Sequence, residues 1–190
     1  MHILHVLDHS IPLHSGYTFR TRAILNQQRK MGWKTSHLTG PKQGAVDQPL
    51  ETVDDLQFYR TPIRHSMLDQ IPVLNQFALI SQLEARIVEV VEEVKPDVIH
   101  AHSPALNGMA ALRAARRCGL PLVYEIRAFW EDAAVDHGTS KEWGMRYRLS
   151  RALETRVMKG ANMITTICNG LKNEIHSRGI PDSKVQVIPN

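Results

Sequence analysis

From its third residue onward the chain alternates short apolar runs with stretches of helical periodicity, and this alternation restricts the fold more than any other property. Ile3 to Leu7, Trp33 to Thr39, Leu56 to Arg60, Asp97 to Ala101, Pro121 to Ile126, Asn162 to Ile167 and Lys184 to Ile188 read as strands. Helical stretches separate them at Thr18 to Met31, Val73 to Val94, Ala105 to Cys118, Lys141 to Lys159 and Asn169 to Arg178. In the second of these, Leu79, Leu83, Ile87 and Val91 recur at helical spacing with charges between them. Strands separated by helices pair parallel through right-handed crossovers. The expected class is α/β, a doubly wound, mainly parallel sheet flanked by helices. Gly40 to Asp55, Thr61 to Pro72 and the RAFWEDAAVDHG stretch that begins at Arg127 read as loops.

A chain of 190 residues suits one domain with a sizeable core. Its 43% hydrophobic and 22% charged residues exclude a disordered or fibrous chain. The net charge of +4 suits an anionic partner without choosing among nucleotides, phospholipid headgroups and nucleic acid. Cys118 and Cys168 lack metal or redox spacing and fit buried thiols in a reducing compartment. His2, His5, Asp8 and His9 break the first apolar run, which is therefore no secretory signal. No stretch approaches the ~18 apolar residues of a membrane span. A cytoplasmic protein is expected, with any membrane contact peripheral. The ending VIPN, a strand and turn with no closing helix, predicts a longer polypeptide of which this is a part.

Chemistry is expected at the end of the KPDVIHAHSP strand, Lys95 to Pro104, because ligands of open parallel sheets bind outside the carboxyl ends of the strands. His100 and His102, two apart, share a face. They either pack beneath a helix and cap the sheet, or His102 contacts a ligand. The first strand-to-helix turn carries neither a dinucleotide fingerprint nor a phosphate-binding lysine loop, and the second strand ends without the acidic residue that binds a ribose, which argues against an NAD enzyme. Gly16 leaves a helix N-terminus suited to a diphosphate, or is a plain turn glycine. In YEIRAFWED, the carboxylates of Glu125, Glu131 and Asp132 beside Arg127 could bind sugar hydroxyls or shift each other's pKa, or form a structural ion-pair cluster. Phe129 and Trp130 suit carbohydrate stacking. The helix from Lys141 to Lys159 sets six cations against Glu142 and Glu154, with Trp143, Met145 and Tyr147 near its start. It could rest on an anionic bilayer or present a solvated face.

The glycine turn after the first strand, KPDVIHAHSP, PLVYEIRAFWED, ANMITTICNGLK and the terminal VQVIPN together resemble, in order, the N-terminal half of family 4 glycosyltransferases of the GT-B fold. The likeness covers nearly the whole chain and is strongest to members associated with exosortase and exopolysaccharide gene clusters. It implies that residues 1–190 are a Rossmann-like, acceptor-binding domain whose donor-binding partner domain is absent, so that the domain alone is inactive. It implies retaining transfer from a nucleotide-sugar donor to a glycan or lipid-linked acceptor, with no metal, no other cofactor and no nucleic acid. Carried over by position, Gly16, with Ser15 beside it, would approach the donor diphosphate, His102 would lie at the cleft, and Arg127 would supply a fixed cation but no general base; with Glu131 from the carboxylate cluster, His102 and Arg127 are the expected catalytic residues. His14, Tyr17, Arg20, Glu125 and Trp130 would face the acceptor. Arg127 stands where many relatives have a histidine, Ser15-Gly16 where many have paired glycines, and Cys168 where a serine is frequent, leaving Asn169 as a helix cap. Two other functions fit the same residues. One is a non-catalytic sugar- or anionic-lipid-binding module. The other is a sugar-nucleotide epimerase using Glu125, Glu131 and His102 as acid and base.

Overall fold

The middle of the sheet is the parallel pair β1 (His2–Leu7) and β5 (Val98–His102), with Leu4 opposite Ile99 and His5 opposite His100. The computed structural model describes residues 1–44, 48–62 and 72–190. From β1 the chain runs through α1 (Gly16–Lys30) to β2 (Lys34–Thr39), then through β3 (Leu50–Val53) to β4 (Leu56–Arg60). α2 (Pro72–Val94) carries it back across to β5. Beyond β5 follow α3 (Ala105–Cys118), β6 (Leu122–Ile126), α4 (Trp130–Asp136), α5 (Met145–Gly160), β7 (Met163–Thr166), α6 (Asn169–Ser177) and β8 (Val185–Val187). The strand order is β3-β4-β2-β1-β5-β6-β7-β8, parallel except for β3 against β4. The winding direction reverses between β1 and β5, and such switch points open a crevice at the strand ends.

The two faces of the sheet are buried differently. Leu4, Val6, Leu38, Ile99, Ala101 and Tyr124 point to one side and pack with Ile80, Leu83, Ile87 and Val91 of α2 and the alanines of α3 in one continuous core. Small side chains let α3 lie close: a Cβ on Gly108 would stand 2.6 Å from the Tyr124 ring. On the other side a small cluster of Leu7, Ile11, Leu25, Leu56 and Phe58 is the apolar part. The rest of that face is polar and still buried, with His5, His37 and His102 at 0% exposure.

Five expectations are corrected. Cys118 is half-buried and Cys168 exposed, so neither is a buried thiol. Cys168, not Asn169, stands at the N-cap of α6, and among the described residues no side chain caps that end. The 40–55 loop contains a 3-10 turn, Pro41–Gln43, and the edge strand β3, whose side chains alternate between exposed and half-buried and so leave no apolar run to read. The 127–138 loop contains α4, which Glu131 and Asp132 favour by placing negative charge in its first turn. The basic helix begins at Met145 rather than Lys141, because Trp143 adopts a left-handed backbone, φ 58°. Most of the loop expected at Thr61 to Pro72 lies outside the described residues. Among the described residues, no helix is long and apolar enough to cross a membrane.

Candidate active site

Strand register builds the polar layer. His37 on β2, His5 on β1 and His100 on β5 are directly opposite one another, and His102 follows two residues on, opposite Glu125 of β6. His100 and His102 stack at 4.5 Å between ring centroids. An arginine, which only donates, fixes each tautomer. Arg127 Nη2 donates to His102 Nδ1 at 2.7 Å, so the His102 proton is on Nε2 and is donated to His5 Nδ1 at 3.0 Å. His5 Nε2–H then donates to Gln28 Oε1 at 2.8 Å. A second chain runs from Arg29 Nε to Thr35 Oγ1, from that hydroxyl to His37 Nε2, and from His37 Nδ1–H to the Gln57 carbonyl. Burial, reinforced for His5 by the neighbouring imidazoles, holds His5 and His102 well below the ordinary imidazole pKa and His37 down to about 4.

Glu125 is the hub, at 1% exposure. Its Oε1 accepts from Arg20 Nε at 2.9 Å and Arg127 Nε at 2.8 Å. Its Oε2 lies 3.2 Å from His100 Nε2, too poorly aligned for a hydrogen bond, and 3.6 Å from His102 Nδ1. Burial alone would raise this carboxyl, but His102, His100 and Arg127 outweigh it and hold it well below the usual carboxylate range. The guanidinium charges of Arg127 and Arg20 remain beside it while His102 is neutral. One carboxylate between two guanidinium groups leaves a surplus positive charge under the first turns of α1.

Both arginines are nearly saturated. Arg127 also donates to the Tyr17 carbonyl and Thr21 Oγ1, which engages four of its five N–H groups, and its guanidinium lies 4.3 Å from the Tyr17 ring centroid. Arg20 holds the Ile188 and Pro189 carbonyls and Asn190 Oδ1. These side chains therefore join α1, β5, β6 and the VIPN segment.

The N-terminus of α1 lies directly above. Ser15 caps it, accepting from Thr18 N at 3.1 Å, and its hydroxyl also meets His9 Nε2 at 2.9 Å. His9 stacks on Tyr17 at 4.6 Å. Among the described contacts the Gly16 and Tyr17 amides have no partner within the chain. A Cβ on Gly16 would meet nothing within 4 Å, so neither packing nor backbone angle demands glycine there.

A cavity of about 310 Å³ opens beside the ends of β1, β5 and β6. Asp8 and Lys42, paired at 3.3 Å, form one wall, and Trp130, His137, Arg146 and Tyr147 form the other. Trp130 is 47% exposed, whereas Glu131 is 2% exposed and bonded to Arg178 Nη1 at 2.6 Å. Arg178 lies 3.7 Å from the Phe129 ring centroid, which gives Phe129 a core role that the sequence did not disclose. Tyr147 donates to Asp132 Oδ1 at 2.7 Å. Of the residues expected to act together, Trp130 and Glu131 reach this cavity. Ser15, Gly16 and Tyr17 lie at the α1 end, Arg20, His102, Glu125 and Arg127 lie in the buried hub, and His14 is exposed beside Phe19. Asp8, Lys42, His137 and Arg146 were not expected at the site: Asp8 and Lys42 follow the ends of β1 and β2, which could have signalled them, whereas His137 ends α4 and Arg146, read only as a cation of the basic helix, is brought here by the packing of α5 on α4.

Ring nitrogens of His5, His100 and His102 lie within 4.8 Å of one another, the grouping among the described residues that could hold a metal. Two of them already bond each other, and Arg127 is 2.7 Å from His102.

Residues 15–190 match the family described as glycosyl transferase 4-like domain. The chain is 26% identical over 146 residues to the GDP-mannose-dependent alpha-mannosyltransferase of Mycolicibacterium smegmatis, covering 76% of this chain and 36% of that protein. Sucrose-phosphate synthase from Thermosynechococcus elongatus superposes with a TM-score of 0.71 at 14% identity, covering 99% of this chain and 47% of that one. UDP-GlcNAc 2-epimerase from Methanocaldococcus jannaschii superposes with a TM-score of 0.63 at 14% identity, covering 100% and 46%. The chain thus spans less than half the length of each, and the two structural likenesses establish the Rossmann-like fold alone. With the family match extending from Ser15 to Asn190, the chain belongs to the glycosyl transferase 4-like domain family of GT-B glycosyltransferases.

Proposed function

We propose that this chain is the acceptor-side half of a retaining glycosyltransferase using a nucleotide-sugar donor. The observation that carries this is the open cavity with a half-exposed indole, placed beside a helix N-terminus whose first amides have no partner among the described residues. Trp130 would stack on the acceptor sugar, with Asp8, Lys42, His137 and Arg146 to orient it. The donor diphosphate would meet the Gly16 and Tyr17 amides, the α1 dipole and the surplus charge of the Arg20–Glu125–Arg127 cluster below. The bond from anomeric carbon to phosphate breaks and the acceptor oxygen bonds that carbon on the same face. The acceptor proton passes to the departing phosphate, so neither a protein base nor a metal is required.

His102 and Arg127 serve this site as positioning residues beneath α1, and Glu131 anchors α4 under Trp130. An epimerase would need an exchangeable acid and base in the cleft. Glu125 and His102 at 1% and 0% exposure, and Glu131 tied to Arg178, favour the transferase. The acceptor is a glycan or lipid-linked glycan at the cytoplasmic face of a membrane, in keeping with exopolysaccharide assembly. Transfer requires a second, donor-holding half.

The test uses the complete polypeptide that carries this domain, with a panel of nucleotide sugars and glycan acceptors. Acceptor-dependent nucleoside diphosphate release is expected, strongly reduced by Gly16→Val and, through acceptor KM, by Trp130→Ala. Sustained transfer by the 190 residues alone would overturn the half-site. Epimerised nucleotide sugar formed without acceptor would overturn the transferase.

A further inference from the structure

α5 has two solvent-facing functions to account for. Arg146, Tyr147 and Ser150 line the acceptor cavity, while Arg148, Arg151, Arg156 and Lys159 line a second and larger groove of about 690 Å³ on another side of the helix. Arg116 of α3 and the indole of Trp143 complete that groove.

At 3.6 residues per turn, Met145, Arg148, Leu149, Arg156 and Lys159 project within an arc of about 100°. All five are exposed, Met145 at 87% and Leu149 at 41%, and Trp143 just before the helix is 59% exposed. Tyr147, Glu154, Val157 and Met158 occupy the opposite, buried side. Glu154, the helix's sole carboxylate, accepts from Tyr124 Oη at 2.7 Å in the core, so the outward face carries cations without an anion of its own. Among the described residues no carboxylate lies within ion-pair distance of Arg116, Arg148, Arg156 or Lys159. Arg151 reaches Glu174 at 3.4 Å and lies 5.7 Å from the Trp143 ring centroid. A solvated helix face interleaves both signs of charge. This face instead sets exposed Met145 and Leu149, with Trp143 just before the helix, beside the unpaired cations Arg148, Arg156 and Lys159, a surface of apolar and cationic side chains that suits an anionic headgroup layer.

We infer that the outer face of α5 docks on an anionic lipid bilayer, with Trp143, Met145 and Leu149 entering the acyl boundary and the arginine groove holding phosphate headgroups. Because the adjacent side of α5 borders the acceptor cavity, docking brings that cavity to the membrane surface, which selects a membrane-borne acceptor. The acceptor part of this inference rests on the transferase proposed above, whereas the docking part does not.

The full chain is sedimented with phosphatidylcholine vesicles that contain or lack phosphatidylglycerol. Binding is expected only with phosphatidylglycerol and should weaken as salt is raised. Combined reversal Arg148→Glu, Arg156→Glu and Lys159→Glu should weaken it on the order of hundredfold, whereas Lys30→Glu with Lys34→Glu should change it by no more than about threefold. Brominated acyl chains should quench tryptophan emission in the wild type, and Trp143→Phe should remove most of that quenching. Equal binding to neutral vesicles, no vesicle binding, or unchanged binding by the reversed chain would overturn the inference. If the triple reversal loses its circular dichroism, the Trp143 quenching decides, and its absence overturns the inference. Transfer to a water-soluble acceptor without vesicle binding would sink the docking and leave the transferase. Vesicle binding without transfer to any acceptor would do the reverse.

Discussion

Acidification from pH 7 to pH 5 should destabilise the fold through the buried histidine layer. His5, His37 and His102 are neutral in the fold because burial lowers their pKa, His37 to about 4 from an unfolded value of 6.5. Below pH 6.5 the unfolded chain gains protons that the folded chain refuses, so stability falls as pH falls, by up to about 1.4 kcal/mol per pH unit for each histidine. Glu154 acts in the opposite sense. Burial raises its pKa from 4.5 to about 7, so in this window the folded state holds a proton that the unfolded state has lost, and acidification stabilises. These three histidines against one glutamate leave a net uptake of up to about two protons on unfolding, on the order of 2 kcal/mol between pH 6 and pH 5, and His2, also lowered by burial, acts in the same direction. Urea unfolding at pH 7, 6 and 5 should show the midpoint falling by about 1 M over that last unit. His37→Gln removes one titrating site and should flatten the slope by about 1 kcal/mol per unit. A stability that is flat or rises on acidification, or an unchanged slope in His37→Gln, would refute the neutral layer.

Other outcomes follow from individual contacts. Gly16→Val should abolish most donor turnover yet leave the urea midpoint unchanged, because its Cβ faces open space, whereas Gly108→Ala should cost about 1–3 kcal/mol against Tyr124 in the same measurement. Trp130→Ala should raise acceptor KM with kcat nearly retained, read from initial rates. Arg178→Met strands the Glu131 carboxylate and should destabilise by about 3–5 kcal/mol, while Arg178→Met with Glu131→Leu should recover most of that loss in denaturant unfolding.

The apolar face of the sheet was legible because its residues recur in strand and helix periods, and those boundaries agree with the structure to within a few residues. β3 was hidden because it is short, lies at an edge and buries little. α4 was hidden because its support is tertiary, from Tyr147 and Arg178, and its sequence resembles a polar loop. Glu125 and Arg127 were visible as charges near a strand end, but their pairing depends on Arg20, 105 residues away from Glu125, and no spacing along the chain announces that partner. The histidine layer was the least legible part. Polar residues alternating with apolar ones along a strand ordinarily mark a solvent face, and only the register of β2, β1 and β5 reveals that these alternating positions lie beneath α1.

The direction of the two arginine-led hydrogen-bond chains also has a consequence for descent. Each link can point only one way, so removing one member orphans the next, and any single replacement passes through a less stable intermediate. Sequences diverging from this one should keep Gln28, His5, His102 and Arg127 together or exchange them together. The apolar face, where a methyl group can be traded for its neighbour, should drift one position at a time.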